Sequence, residues 1–338
     1  MVKMMTDKIL LAHGSGGKLA HDIIRRHFLP ALANPALSQL DDSAVIDSEG
    51  KLAFTTDSYV IQPIFFPGGD IGKLAICGTI NDLAMMGAKA QYLSLAFIIE
   101  EGLLLSDLEK VVSSIKETAQ AAGVSVVTGD TKVVNKGGAD KLFINTAGIG
   151  VIPPEINISG HNAKPGDMLI LNGTIGDHGI AVLSQREGIN FTTELKSDCA
   201  PLNDLVAEML AASQNIHCLR DPTRGGLATT LNEIAEQSGV ASRIYEEKVP
   251  VRDEVLSACE MLGIDPLYVA NEGKLVAIVD RNDAEKILAR VQNHQYGQSA
   301  AIIGEVKEEN PGRVVMKTRL GTSRIIDMLV GEPLPRIC

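Results

Sequence analysis

Along the first half of the chain, short apolar runs alternate with longer stretches in which apolar side chains recur every three or four positions. Residues 51–56 read as a strand. Residues 70–86 read as a helix, with Leu74, Ile76, Ile80, Leu83 and Met86 near helical spacing. An apolar strand over 92–99 and a helix over 106–122 follow. Ser106 with Glu109 three residues on has the form of a capped start, and Gly123 that of a stop. Strands over 124–128 and 142–151 complete this half. Pro153, Pro154, Ser159, Gly160, Pro165 and Gly166 then break the pattern, and a domain boundary is placed there. The second half restarts with a strand over 168–172. Helices are expected over 177–186, 202–212, 226–237 and 284–292, and strands over 274–279, 301–306 and 313–317. The expected class is α/β in two domains, 1–152 and 153–330. Beyond Gly331, Pro333 and Pro335 forbid a helix, so 331–338 is expected as an extended tail that projects from the body.

Composition removes several function classes. Apolar residues make up 45% of the 338, enough for packed cores. The longest apolar run falls short of the ~18 residues a membrane helix needs, and the start lacks a secretory pattern, so a cytoplasmic protein without a membrane span is expected. A net charge of -11 with scattered Lys and Arg argues against nucleic acid as partner. It does not argue against Mg-ATP, which carboxylates can hold through the metal. Five cysteines without a C-x-x-C pair fit neither a disulfide framework nor a zinc knuckle. Cys77, Cys199, Cys218 and Cys259 read as inert core thiols. Cys338 differs, because it ends the chain.

The polar constellations are few. Gly14, Gly16 and Gly17, in the run from His13 to Gly17, let backbone N–H groups approach a phosphate, although a flexible loop would look the same. Acidic turns are expected at Asp41 and Asp42, at Asp57, at Asn81 and Asp82, and at Gly129, Asp130, Thr131 and Lys132. Singly, each reads as a turn former or cap. Converging at strand ends, Asp42, Asp57, Asp82 and Asp130 would hold Mg²⁺ with ATP, and Lys132 would neutralise a transferring phosphoryl group. Asn81 and Asp82 fall inside an apolar helix, where a ligand or a helix break would account for them. In the second half, the polar segments at Gly176 to Gly179, Asp221 to Gly226 and Asn271 to Lys274 are placed to line a cleft or to form tight turns. A free thiol at Cys338, next to Arg336, reads either as a mobile reactive end or as a disordered one.

Taken in order, these motifs resemble the HypE family of hydrogenase maturation factors, within the PurM-like ATP-binding superfamily. The resemblance rests on His13 to Gly17, Thr55 to Ser58, Phe65 to Asp70, Asn81 and Asp82, Val127 to Lys132, Gly176 to Gly179, Ala270 to Lys274, and the ending Pro335, Arg336, Ile337, Cys338. It implies an N-terminal mixed sheet that forms a barrel across a homodimer, and a C-terminal α/β sandwich. It also implies an ATP-dependent reaction on the terminal cysteine. A partner, HypF, would carbamoylate Cys338. The S-carboxamide would then be dehydrated to S-cyanide, and the cyano group would pass to iron held by HypC and HypD. On this reading Glu272 is the base, with Asn271 and His178 as orienting groups. A ligase or small-molecule kinase of the same superfamily, or a nucleotide-sensing scaffold, would fit the same residues without the tail chemistry.

Overall fold

The computed structural model describes residues 8–10, 23–34, 50–186, 195–329 and 337. After a short helical stretch ending in α1 (Leu29–Leu32), strand β1 (Lys51–Tyr59) leads into the small hairpin β2 (Phe65–Phe66) and β3 (Gly69–Asp70). Helix α2 (Ile71–Met85), β4 (Lys89–Glu100), α3 (Leu105–Ala121), β5 (Ser125–Val134) and β6 (Leu142–Ile152) follow. The strands form a mixed sheet in the order β1-β6-β4-β5. Helices α2 and α3 cover one face through Leu74, Ile80, Leu108, Val111 and Ile115. Among the described residues the other face has no helix. On it lie Leu52, Phe54 and Ile98, exposed by 49%, 70% and 40%.

The second half is β7 (Met168–Leu171), α4 (Asp177–Leu183), α5 (Asn203–Ala212), β8 (Ile216–Arg220), α6 (Gly226–Ser238), β9 (Ala241–Tyr245), α7 (Asp253–Leu262), β10 (Val276–Val279), α8 (Ala284–Gln292), β11 (Ala301–Lys307), β12 (Val314–Lys317) and β13 (Ser323–Ile326). Its sheet runs β13-β12-β9-β11-β7-β10-β8. Helix α6 packs Leu227, Leu231 and Ile234 on one face, and α5 and α8 pack Met209, Ile287 and Val291 on the other. Strand β10 feeds both cores, Val276 and Ile278 one way and Ala277 and Val279 the other, which is why it reads as an unbroken apolar run. Among the described residues no helix is long and apolar enough to cross a membrane.

Several expectations change. Asp57 and Asp130 are not in turns: β1 continues through Asp57, which pairs with Thr146, and β5 through Asp130, which pairs with Ala96. Helix α3 starts a residue earlier than expected, and its capping position is Leu104, with no side-chain cap. Strands β8, β9 and β13 and helix α7 have no counterpart in the pattern reading. The expected projecting tail is not what Ile337 displays. That residue is buried in the core formed by the first half, with Cys199 and Ala270. The other expected tail residues, 331–336 and Cys338, lie outside the described residues, as do Gly14, Gly16, Gly17 and Asp42.

Candidate active site at the junction of the two halves

Helix α2 supplies the first part of the site. Asp70 caps it, its carboxylate accepting from Gly72 N at 2.7 Å and Lys73 N at 3.1 Å. No helix break occurs at Asn81 and Asp82. The buried Asn81 side chain crosses to the second half, donating to the carbonyls of Ala200 (3.1 Å) and Glu272 (3.4 Å) and accepting from Leu202 N (2.8 Å). Asp82 accepts from Thr55 Oγ1 at 2.6 Å, and Tyr59 Oη donates to Asp57 at 3.0 Å. Burial raises both carboxyls above their ordinary values, and the Asp57 charge adds to the rise at Asp82.

Glu272 lies beneath this edge. It is buried, and among the described residues its Oε1 has no hydrogen-bond partner. Burial, then the neighbouring Cys199, Asp198, Asp221 and Asp57, push its carboxyl well above the ordinary value. Its backbone is held firmly. The N–H donates to Asp198 Oδ1 at 3.2 Å, and Gly273 N donates to Asp198 Oδ2 at 3.3 Å. Asn271 is fully occupied in joining loops. Its Oδ1 accepts from Gly176 N at 2.7 Å, and its Nδ2 donates to Pro222 O at 2.8 Å and Val269 O at 3.1 Å. It shapes the site rather than facing a ligand.

His178 is the contact with the chain end. Its Nε2 lies 2.7 Å from the Ile337 carbonyl and its Nδ1 2.8 Å from Ser197 Oγ. A carbonyl only accepts, so Nε2 carries hydrogen and Nδ1 accepts from the serine. Burial lowers the His178 pKa and favours this neutral form. Phe66, from the β2–β3 hairpin, meets the imidazole edge-on at 5.4 Å between centroids.

A cavity of about 420 Å³ opens beside these groups, lined among others by Thr55, Asp82, Arg220, Asp221, Thr223 and Arg224. Burial and the charges of Asp82 and Asp57 push the Asp221 carboxyl up to about 7. Asp221 lies in a segment that the sequence reading singled out without giving it a role. A larger cleft of about 970 Å³, between Lys89 and Asn203, contains none of the expected site residues.

The expected carboxylates do not all meet within one chain. Asp57 and Asp82 sit at the β1 edge, on the side of the sheet that carries α2. Asp130 pairs with Lys132 at 3.2 Å on β5, the opposite edge, three strand spacings or about 14 Å away. Asp130 is in register with Ala96 and thence Asn145, on the face without helices. Among the described residues no group of three or more His, Cys, Asp or Glu could hold a metal alone. Two crowded carboxylates with raised pKa values still fit a hard cation that takes its remaining ligands from phosphate and water.

Residues 40–152 match the family model of the AIR synthase related protein N-terminal domain, and residues 164–317 that of its C-terminal domain. The carbamoyl dehydratase HypE of Azotobacter vinelandii is 53% identical, over 97% of this chain and 96% of its own. The chain belongs to the HypE family. A crystal structure of the hydrogenase maturation protein HypE in complex with ATP superposes with a TM-score of 0.94 at 51% identity, covering 97% of this chain and 99% of that one. A chain of a HypE–HypF complex superposes at 0.81 and 51% identity, over 93% and 100%. Thiamine-monophosphate kinase from Stenotrophomonas maltophilia, at 20% identity and a TM-score of 0.63 over 90% and 96%, shares the fold. As a HypE-family member the chain is an enzyme of the carbamoyl dehydratase group, with the mixed α/β architecture expected of it.

Proposed function

We propose that this chain dehydrates an S-carbamoyl group on its own Cys338 to S-cyanide at the expense of ATP, supplying the cyanide ligand of a nickel–iron hydrogenase. The observation that carries the reading is the docking of Ile337 on His178, which brings the residue before the cysteine to the junction where Glu272 is buried. An amide oxygen leaves poorly. In the reaction, the carboxamide oxygen attacks the γ-phosphorus, an O–P bond forms, the bond to ADP breaks and one N–H proton departs. Removal of the second N–H proton then expels phosphate and leaves S–C≡N. Glu272 is the base for these protons, and its raised pKa makes its carboxylate a strong one. His178 holds the arm, and Asn271 holds the loops.

Mg²⁺ on Asp57 and Asp82 would neutralise phosphate charge. Asp42, the glycines from Gly14 to Gly17 and Arg336 complete the proposal as originally expected from the sequence. Asp130, Thr131 and Lys132 act at the same phosphates only if a second copy brings its β5 edge over. The open face with Leu52, Phe54 and Ile98 supports such a homodimer, closed there as a barrel. HypF is proposed as carbamoyl donor and the HypC–HypD iron complex as acceptor, in the cytoplasm. The functional units on this reading are 1–152, 153–330 and the tail 331–338.

The test is intact mass of the C-terminal peptide after carbamoyl transfer and again after Mg-ATP. The adduct is expected to lose one water. An adduct that persists unchanged with ATP present would refute the reading.

A further inference from the structure

We propose that Asp198 is a positioning residue for Glu272, holding the loop that carries the buried carboxyl at one fixed distance from the docked chain end. This rests on the role given to Glu272 above. Residues 195–202 form no helix or strand and run between the two halves. Within that segment the Asp198 carboxylate gathers three consecutive residues. It accepts from the N–H groups of Glu272 at 3.2 Å and Gly273 at 3.3 Å, and it pairs with Lys274 Nζ at 3.1 Å. The approach is close enough that a Cβ on Gly273 would lie 1.8 Å from the Asp198 carbonyl oxygen. From the other side, the Glu272 carbonyl accepts from Asn81 Nδ2 and Ala200 N, both at 3.4 Å. The Glu272 peptide is therefore clamped on both sides, while its own Oε1 has no partner among the described residues. The backbone, not the side chain's bonds, fixes where the carboxyl stands.

Asp198 also reaches the tail latch. The adjacent Ser197 donates to His178, and its N–H donates to Pro67 O at 2.8 Å in the first half. One segment thus sets both the grip on the chain end and the seat of the carboxyl. Burial works against ionised Asp198, but Lys274 first and the Glu272 N–H after it offset this and hold its pKa below the ordinary range. The Asp198 carboxylate in turn contributes to the raised pKa of Glu272. A buried ion pair is weak evidence for stability alone. The three-residue grip points to placement as its role.

The experiment is single-turnover dehydration by the full-length carbamoylated enzyme, comparing D198N and D198E with wild type. Dehydration at saturating ATP is expected to slow by about 10- to 100-fold, the scale of a misplacement of roughly 1 Å. The KM for ATP should stay within about twofold, since Asp198 holds the loop of Glu272 and none of the described residues assigned to the nucleotide. D198E keeps the charge and the ion pair, so it tests placement even if D198N fails to fold. Wild-type rates in both variants would overturn the inference. So would slowing matched by an equal loss of ATP affinity, which marks a general structural role. Glu272→Gln separates the two claims. If it dehydrates normally, the base assignment falls and this inference with it. If it is slow while D198N and D198E are normal, only the inference about Asp198 falls.

Discussion

His178 and Ile337 are joined by a hydrogen bond of 2.7 Å from the imidazole Nε2–H to the main-chain carbonyl. Because it recognises backbone, it reads the position of the chain end rather than the identity of a side chain. His178→Ala should release the arm. Alkylation of Cys338 is expected to quicken and dehydration to slow by about tenfold, the effect of losing roughly 1.4 kcal/mol of docking, close to one hydrogen bond. ATP binding should persist. Peptide mapping after a timed maleimide pulse checks this, because Cys77, Cys199, Cys218 and Cys259 are buried.

The burial of His178 gives the fold a pH dependence whose sign is set. The folded-state pKa of His178 lies below its ordinary 6.5. The unfolded state therefore binds more protons as pH falls below 6.5, and the folded state loses stability there, while the bond to Ile337 itself raises the pKa and so favours docking on the protonated ring. The contribution is complete above 6.5 and declines as pH drops toward the lowered value. The Tm read by calorimetry should fall over that window in wild type and fall less in His178→Ala.

Glu272→Gln should separate activity from stability. Its carboxyl has a raised folded-state pKa, so it favours folding below 4.5 and opposes it as pH rises toward the folded value. The neutral amide removes that penalty. Dehydration is expected to fall by about 10²- to 10⁴-fold, the range for a lost general base. The Tm at neutral pH should stay level or rise, as read by calorimetry. A lower Tm with normal turnover would contradict both the base assignment and the desolvation argument.

Asn81→Leu should behave in the opposite way. It removes three bonds between the halves and leaves Leu202 N buried without an acceptor. A loss of about 2–4 kcal/mol is expected, most of it from the orphaned groups. Urea denaturation monitored by circular dichroism measures it.

Phe54→Glu should leave the fold intact, because the side chain is 70% exposed. If the open sheet face pairs with a second copy, sedimentation should report a monomer, and ATP affinity should fall with it because Asp130 and Lys132 would lose access to the opposite edge. A dimer with normal ATP affinity would exclude this face as the interface.

Much of the fold was legible in the pattern of apolar positions, and the misses have physical causes. Strand β10 and helix α2 stand out because their burial is continuous. Strand β13 does not, because it is short, largely exposed and at the sheet edge; β9 is only five residues and mixes Ser, Arg and Tyr with its apolar positions, and helix α7 buries only Val255, Ala258 and Cys259. Polar residues after Thr56 and Thr128 suggest that the strands end there, but the ladders to β6 and β4 carry them on through Asp57 and Asp130. The site motifs were visible as glycine-flanked polar runs. Their distribution over opposite edges of the sheet was not, since strand order is a long-range property. Asp198 carried no signal at all. It sits in a stretch without periodicity, and only the three-dimensional loop reveals what its carboxylate grips.

The latch at Ile337 also sets a geometric limit on any visiting enzyme. From Leu329, the last described residue before the tail, to Cys338 there are nine residue steps. Fully stretched, these span at most about 30–32 Å. Once the latch opens, the thiol can therefore sweep no farther than that radius from Leu329. On the proposed function, a carbamoyl donor would have to bring its own reaction centre inside this sphere, and so would a cyanide acceptor. The two visitors would then compete for the same small neighbourhood, and the arm would serve them one at a time.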